Sequence, residues 1–131
     1  MGRRNCRDCI FKLIYQNLFS EEFVAHEALE TIAEGMDVEE QKYVLDSFLA
    51  VQENMEAIRE IISKATVGYD IKRIYKVDFA ILIDAVYEIN YLKEPVAIVI
   101  NEAVELAKKY SNEKSPSFIN GVLSKIVNNK E

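Results

Sequence analysis

The chain has 131 residues, half of them hydrophobic, with four glycines, two prolines and a formal net charge of −6. That is enough for one domain with a single buried core, and too apolar for a disordered polymer. The apolar runs are too short to span a bilayer, and no apolar segment follows the N-terminal arginines as a secretory signal requires, so a cytoplasmic chain is expected.

The charge is unevenly spread. Residues 1–16 carry Arg3, Arg4, Arg7 and Lys12 against Asp8 and sum to +3. Residues 17–68 sum to −9, and residues 69–131 carry equal numbers of acids and bases. A local basic end can still bind phosphate on an acidic protein, because charges beyond about 8 Å are largely screened in physiological salt. The acidic middle suits a basic protein partner, or simply solubility.

The first element is predicted as a helix with Cys6, Cys9, Ile10, Leu13 and Ile14 on one apolar stripe. Arg3, Arg4 and Arg7 crowd its N-terminal turn, where the helix dipole favours acids instead. Three arginines on one turn can reach several phosphates with planar forks. From composition alone, a solvated turn with stray charges is the more frequent outcome. Cys6-Arg7-Asp8-Cys9 has the spacing of a redox or zinc motif. It lacks the βαβ setting of the first and the further ligands of the second, so both cysteines read as small buried hydrophobes.

A second helix is expected after Ser20, ending at Gly35, with Phe23, Val24, Ala28, Leu29 and Ile32 facing the core. Asp37 and Glu40 form a capping box for a third, whose face continues through Val44, Leu45, Phe48 and Leu49. Met55, Ile58, Ile61 and Ile62 belong to an extension of it or to a fourth helix. The chain breaks at Val67-Gly68-Tyr69-Asp70, and Asp70 can cap a short turn over Ile71 to Ile74. From Val77 to Leu92 the sequence is apolar almost all round, the mark of a central helix. Pro95 opens the next helix, which ends on Lys108 and Lys109, and Ser115-Pro116 supplies an N-cap and N1 proline for the last.

Polar residues interrupt these apolar faces at a few places. Asn101 and Glu102 sit at a polar interface or tie helix ends together; Asn101 and Asn120 are better read as buried hydrogen-bonding groups that fix bundle geometry. Gly121 then marks a close helix–helix contact. Asp84 stands inside the most apolar helix, so it either faces solvent or a partner, or pairs with a cation such as Arg73. Tyr15, Tyr110 and Phe118 could stack unpaired bases if their helix ends converge, although core or rim packing is the commoner fate of such aromatics. With one histidine, no glycine-rich phosphate loop and no helical metal motif, the chain reads as a non-enzyme with no cofactor and no metal.

Several of these stretches together resemble the NusB family of transcription antitermination factors. They are the arginine-rich start Arg3-Arg4-Asn5-Cys6-Arg7-Asp8-Cys9, the central apolar helix, the run Ala97-Ile98-Val99-Ile100-Asn101-Glu102-Ala103-Val104-Glu105-Leu106-Ala107-Lys108, and Phe118-Ile119-Asn120-Gly121-Val122-Leu123. They occur in the family's order, and residues 20–68 match only in helical character. The resemblance implies an all-α fold, a single domain over residues 1–131 with about seven helices in two perpendicular three-helix bundles. It implies binding of boxA RNA in ribosomal RNA transcripts, as a heterodimer with the ribosomal protein NusE, inside an RNA polymerase antitermination complex. Arg3, Arg4 and Arg7 then contact RNA, and Tyr15, Tyr110 and Phe118 lie on the same surface. Asp78 and Glu88 on the central helix are assigned to the basic protein partner.

Three positions depart from the family pattern: Ile83 where an Arg is usual, Asp84 where a Leu is usual, and Lys114 where an acid is common. An alternative of another class is a helical protein–protein scaffold or homodimer with the first helix as interface. NusB-like domains also occur fused to ribosomal RNA methyltransferases, but a chain ending at Glu131 leaves no room for a catalytic domain.

Overall fold

A computed structural model describes residues 3–20, 25–66, 68 and 70–128, with the side chains of Arg3 and His26 outside that description. The described residues form seven α-helices and one 3-10 turn: α1 Arg3–Phe19, α2 Ala25–Ile32, α3 Val38–Glu53, α4 Met55–Ala65, the 3-10 turn Ile71–Arg73, α5 Lys76–Asn90, α6 Val96–Tyr110 and α7 Ser115–Asn128. No strand occurs among them, as the unbroken helical periodicity requires.

Each boundary has a local cause. Gly35 takes φ +89°, which ends the turn after α2 at little steric cost. Asp37 and Glu40 close the predicted capping box over α3, with Glu40 N–H donating to Asp37 Oδ1 at 2.8 Å and Asp37 N–H donating to Glu40 Oε1 at 3.1 Å. Asn54 separates α3 from α4: its backbone leaves the helical region, and its side-chain amide donates to the Ala50 carbonyl at 2.8 Å. Met55 to Ile62 therefore form a fourth helix and not an extension of the third. Asp70 caps the 3-10 turn through the Lys72 N–H at 2.9 Å. Beyond α5, Lys93 adopts φ 57°, and the Glu94 N–H returns to the Glu88 carbonyl at 3.0 Å.

One core runs through the fold. The stripe of α1 (Cys6, Cys9, Ile10, Phe11, Leu13, Ile14) packs with Leu29 and Ala33 and with Val44, Phe48 and Val51 of α3. On the other side, Ile58 and Ile62 of α4, which packs on α7, belong to the same cluster as Val99, Ala103 and Ala107 of α6 and Ile119 and Leu123 of α7. Helix α5 lies between the two groups, touching α1 and α3 on one side and α4, α6 and α7 on the other. Every residue from Val77 to Ile89 is buried, as expected of a helix apolar on nearly all faces. Burying a large aliphatic side chain stabilises by roughly 1.5–3 kcal/mol, so α5 is the largest single contributor to the core.

Two features of α2 expected from sequence, the Phe23 and Val24 contacts, lie outside the described residues. The cap of α7 is not as expected. Ser115 Oγ donates to Asp78 Oδ2 at 2.9 Å, while Asn112 Oδ1 receives the Lys114 N–H at 3.0 Å. The serine hydroxyl serves a buried carboxylate on another helix and not its own helix terminus. Asn101, Asn120 and Gly121 are all exposed, and a Cβ placed on Gly121 meets nothing within 4 Å. The buried asparagine network and the close helix contact expected at Gly121 are both absent, because the polar side of each helix carries these residues. Among the described residues, no helix is long and apolar enough to cross a membrane.

Candidate nucleic-acid interface

Side chains of the N-terminal half of α1 reach across to side chains of α6 and form two charged clusters. The first runs inward from the surface. Arg4 is 72% exposed and grips Glu102 of α6 with both arms of its fork, Nε to Oε1 at 2.9 Å and Nη2 to Oε2 at 2.7 Å. One turn on, Arg7 is buried. Its Nε and Nη2 donate to Glu88 of α5 at 2.7 and 2.6 Å, and its Nη1 stands 3.6 Å from Glu102 Oε1. Asp84 lies one turn before Glu88, fully enclosed, with its Oδ1 unpartnered.

The electrostatics follow from this nesting. Burial opposes the Arg7 charge, but the hydrogen bonds and attraction of Glu88 override it and hold the guanidinium above its usual pKa. The Glu102 carboxyl is lowered by its hydrogen bond from Arg4, against some burial. Burial pushes the Asp84 carboxyl well above the aspartate range, helped by the Glu88 charge and a hydrogen bond with Glu88, with Arg7 acting the other way. Burial and the neighbouring carboxylate thus both favour the neutral form of Asp84.

The second cluster lies along the α1–α6 seam. Asp8 accepts from the Tyr110 hydroxyl at 2.8 Å, and its carboxylate is 3.0 Å from Lys12 Nζ and 3.7 Å from Lys109 Nζ. Both ammonium groups stand over the Tyr110 ring, at 5.5 Å and 5.1 Å from its centroid. An aromatic ladder continues from there: Tyr110 to Phe11 at 5.3 Å, Phe11 to Tyr15 at 6.2 Å, and Tyr15 edge-on to the exposed Phe19 at 4.9 Å. Between the arginine end and Lys108–Lys109 runs an open groove of about 430 Å³ lined by Arg4, Asp8, Glu102, Glu105, Lys108 and Lys109. Cations over aromatic faces beside a groove are the elements of single-strand binding, a charged track for the backbone with π-surfaces for bases.

The expected residues thus divide. Arg4, Tyr15 and Tyr110 lie on this surface, and Phe118 is half-buried against the core at the start of α7. The Arg3 side chain lies outside the described residues. Arg7, expected at the RNA, lies inside the protein with its fork on Glu88. Asp78 and Glu88, expected at a protein partner, are both buried, Glu88 against Arg7 and Asp78 under the hydroxyls of Ser111 at 2.6 Å and Ser115 at 2.9 Å. Asp84 answers to Arg7 and Glu88, not Arg73. Both cysteines are buried as expected; Cys9 Sγ meets the Ile32 carbonyl at 3.5 Å, and burial raises its thiol pKa. Sequence reasoning missed Phe11, Asp8, Lys12 and Lys109 as one cluster. The (i, i+4) spacing of Asp8 and Lys12 was the available signal; Lys109 read only as a dipole partner.

A helical fold with a cationic, aromatic seam defines a class, a helical protein with a surface suited to single-stranded nucleic acid. The particular family comes from comparison. Residues 4–128 match the model of the NusB family. The transcription antitermination protein NusB of Acetivibrio thermocellus is 45% identical over 130 residues, covering 97% of this chain and 89% of that protein. The solved structure of T. maritima NusB superposes with a TM-score of 0.90 at 30% identity, covering 98% and 92% of the two chains. A NusB solved with NusE and double-stranded RNA superposes with a TM-score of 0.85 at 28% identity, covering 97% and 96%. The chain belongs to the NusB family.

Proposed function

We propose that this chain is a transcription antitermination factor that binds boxA RNA of ribosomal RNA transcripts as a heterodimer with the ribosomal protein NusE, within an RNA polymerase antitermination complex. The observation that carries this reading is the end-to-end likeness to the NusB solved with NusE and double-stranded RNA. The α1–α6 seam supplies chemistry in keeping with it: Arg4, Lys12 and Lys109 for phosphates and Tyr15 and Tyr110 for bases, while Arg3 and Phe118 are assigned to the RNA on the family resemblance alone. The rival reading, a scaffold or homodimer formed through the first helix, is weakened by the burial of the α1 apolar stripe in the chain's own core.

Binding of the purified protein to a short boxA-like RNA, with and without NusE and at two salt concentrations, tests the proposal. Salt-sensitive binding that NusE strengthens, and that Lys12→Ala with Lys109→Ala weakens, is the expected result. Absence of binding under every condition overturns it; a dimer by light scattering in that case favours the scaffold.

A further inference from the structure

Every cation whose side chain is described around the groove already has an anion. Arg4 is held by Glu102, Lys12 and Lys109 by Asp8, and Lys108 by Glu105 at 3.3 Å. These pairs are not equivalent. Lys108 and Glu105 are both about half exposed or more, and such a pair exchanges freely with water. Glu102 is only 13% exposed and holds both arms of the most exposed described cation on α1 in a two-point fork. Arg7 stands behind it at 3.6 Å, so the carboxylate is fixed from two sides and does not swing away with its partner.

Resting on the RNA-binding reading above, we propose that Glu102 sets specificity by withholding Arg4 from loosely bound polyanions. A phosphate that recruits Arg4 must displace a bidentate carboxylate and leave Glu102 with the longer contact to Arg7 alone. A loose, purely electrostatic encounter gains little from that exchange, because one charged fork replaces another. An RNA that also stacks on the seam's aromatic rings is held long enough, and in the right register, for the exchange to occur. Glu102 thereby lowers background affinity for phosphate backbones without lowering the affinity of the matched RNA to the same degree, a repulsive element of the kind specificity requires.

The test compares wild type, Glu102→Gln and Glu105→Gln against a boxA-like RNA and a scrambled RNA of equal length, with NusE present, across a salt series. Both variants remove one negative charge from α6, so net charge is matched. For Glu102→Gln the expected result is roughly two- to fivefold tighter binding of the scrambled RNA, a smaller change for the boxA-like RNA, and a scrambled-RNA salt slope steeper by about 0.7. Equal tightening by Glu105→Gln overturns the proposal in favour of general electrostatics. Unchanged or weaker scrambled binding by Glu102→Gln, with wild-type melting behaviour, overturns it in favour of a purely structural ion pair. Arg4→Ala supplies an arm that does not depend on Glu102 variants folding: it should weaken the boxA-like RNA while changing the scrambled RNA less than about twofold. A matching loss for both RNAs defeats the idea. Failure of the wild type to bind either RNA defeats the RNA reading itself, which separates the two failures.

Discussion

Arg7 and Asp84 show how one buried pair changes the meaning of two residues. Arg7 reads from sequence as one of three phosphate-seeking arginines, yet it lies under α6 with both donor arms on Glu88. Removing one partner of a buried ion pair strands the other charge, so Arg7→Ala should lose about 3–5 kcal/mol in urea unfolding, far more than Arg4→Ala. Asp84 has the opposite linkage. Its folded pKa is raised well above the ordinary 3.8, so its stabilising contribution is complete below that value and is lost as pH rises toward the folded pKa. Glu102, lowered from the ordinary 4.5, contributes above that value and is lost as pH falls through its folded pKa. As pH rises above the ordinary aspartate value the wild type should therefore lose stability, and Asp84→Asn should remove that slope; urea unfolding at a series of pH values reads both. Neither role was legible from residue type alone. Sequence spacing shows that Asp84 and Glu88 share a helix face, but not that the face meets Arg7 eighty residues away in the chain.

At the level of helices, the sequence was far more informative, because caps and periodicity are local. The capping box at Asp37 and Glu40, the Asp70 turn and the left-handed Gly35 each follow from a few neighbouring residues, and each is present. What failed were inferences about neighbours in space. Gly121 suggested a crowded helix crossing, but the surface of α7 is open there. With helical backbone and no obstruction to a Cβ, Gly121→Ala should raise stability by about 0.8–1 kcal/mol, measured as an upward shift in the denaturation midpoint with an unchanged m-value. Ser115 likewise looked like a cap, since the Ser-Pro pair favours that role. It went to Asp78 because the α6–α7 corner folds over the first turn of α5, where a buried carboxylate needs donors.

For the molecule as a whole, the all-helical class and the central place of the fifth helix follow from apolar patterning, which reports burial directly. The interface was only partly legible. Arginines and aromatics were visible as types, whereas their division into an inner structural pair and an outer cationic seam depends on how α1 sits against α6. Lys109 of that seam was overlooked because a lysine at a helix end has an ordinary explanation. The enclosure of α5 on all sides carries one more consequence. A helix with an outer face can fray or open while the rest of the protein stays folded; α5 cannot expose its backbone without parting both helical groups at once. Its amide protons from the second turn onward should exchange with deuterium only through global unfolding, with protection free energies equal to the full stability and the steepest denaturant dependence in the chain. Exchange in α5 that is markedly faster, or insensitive to denaturant, would mean that the two groups separate without unfolding.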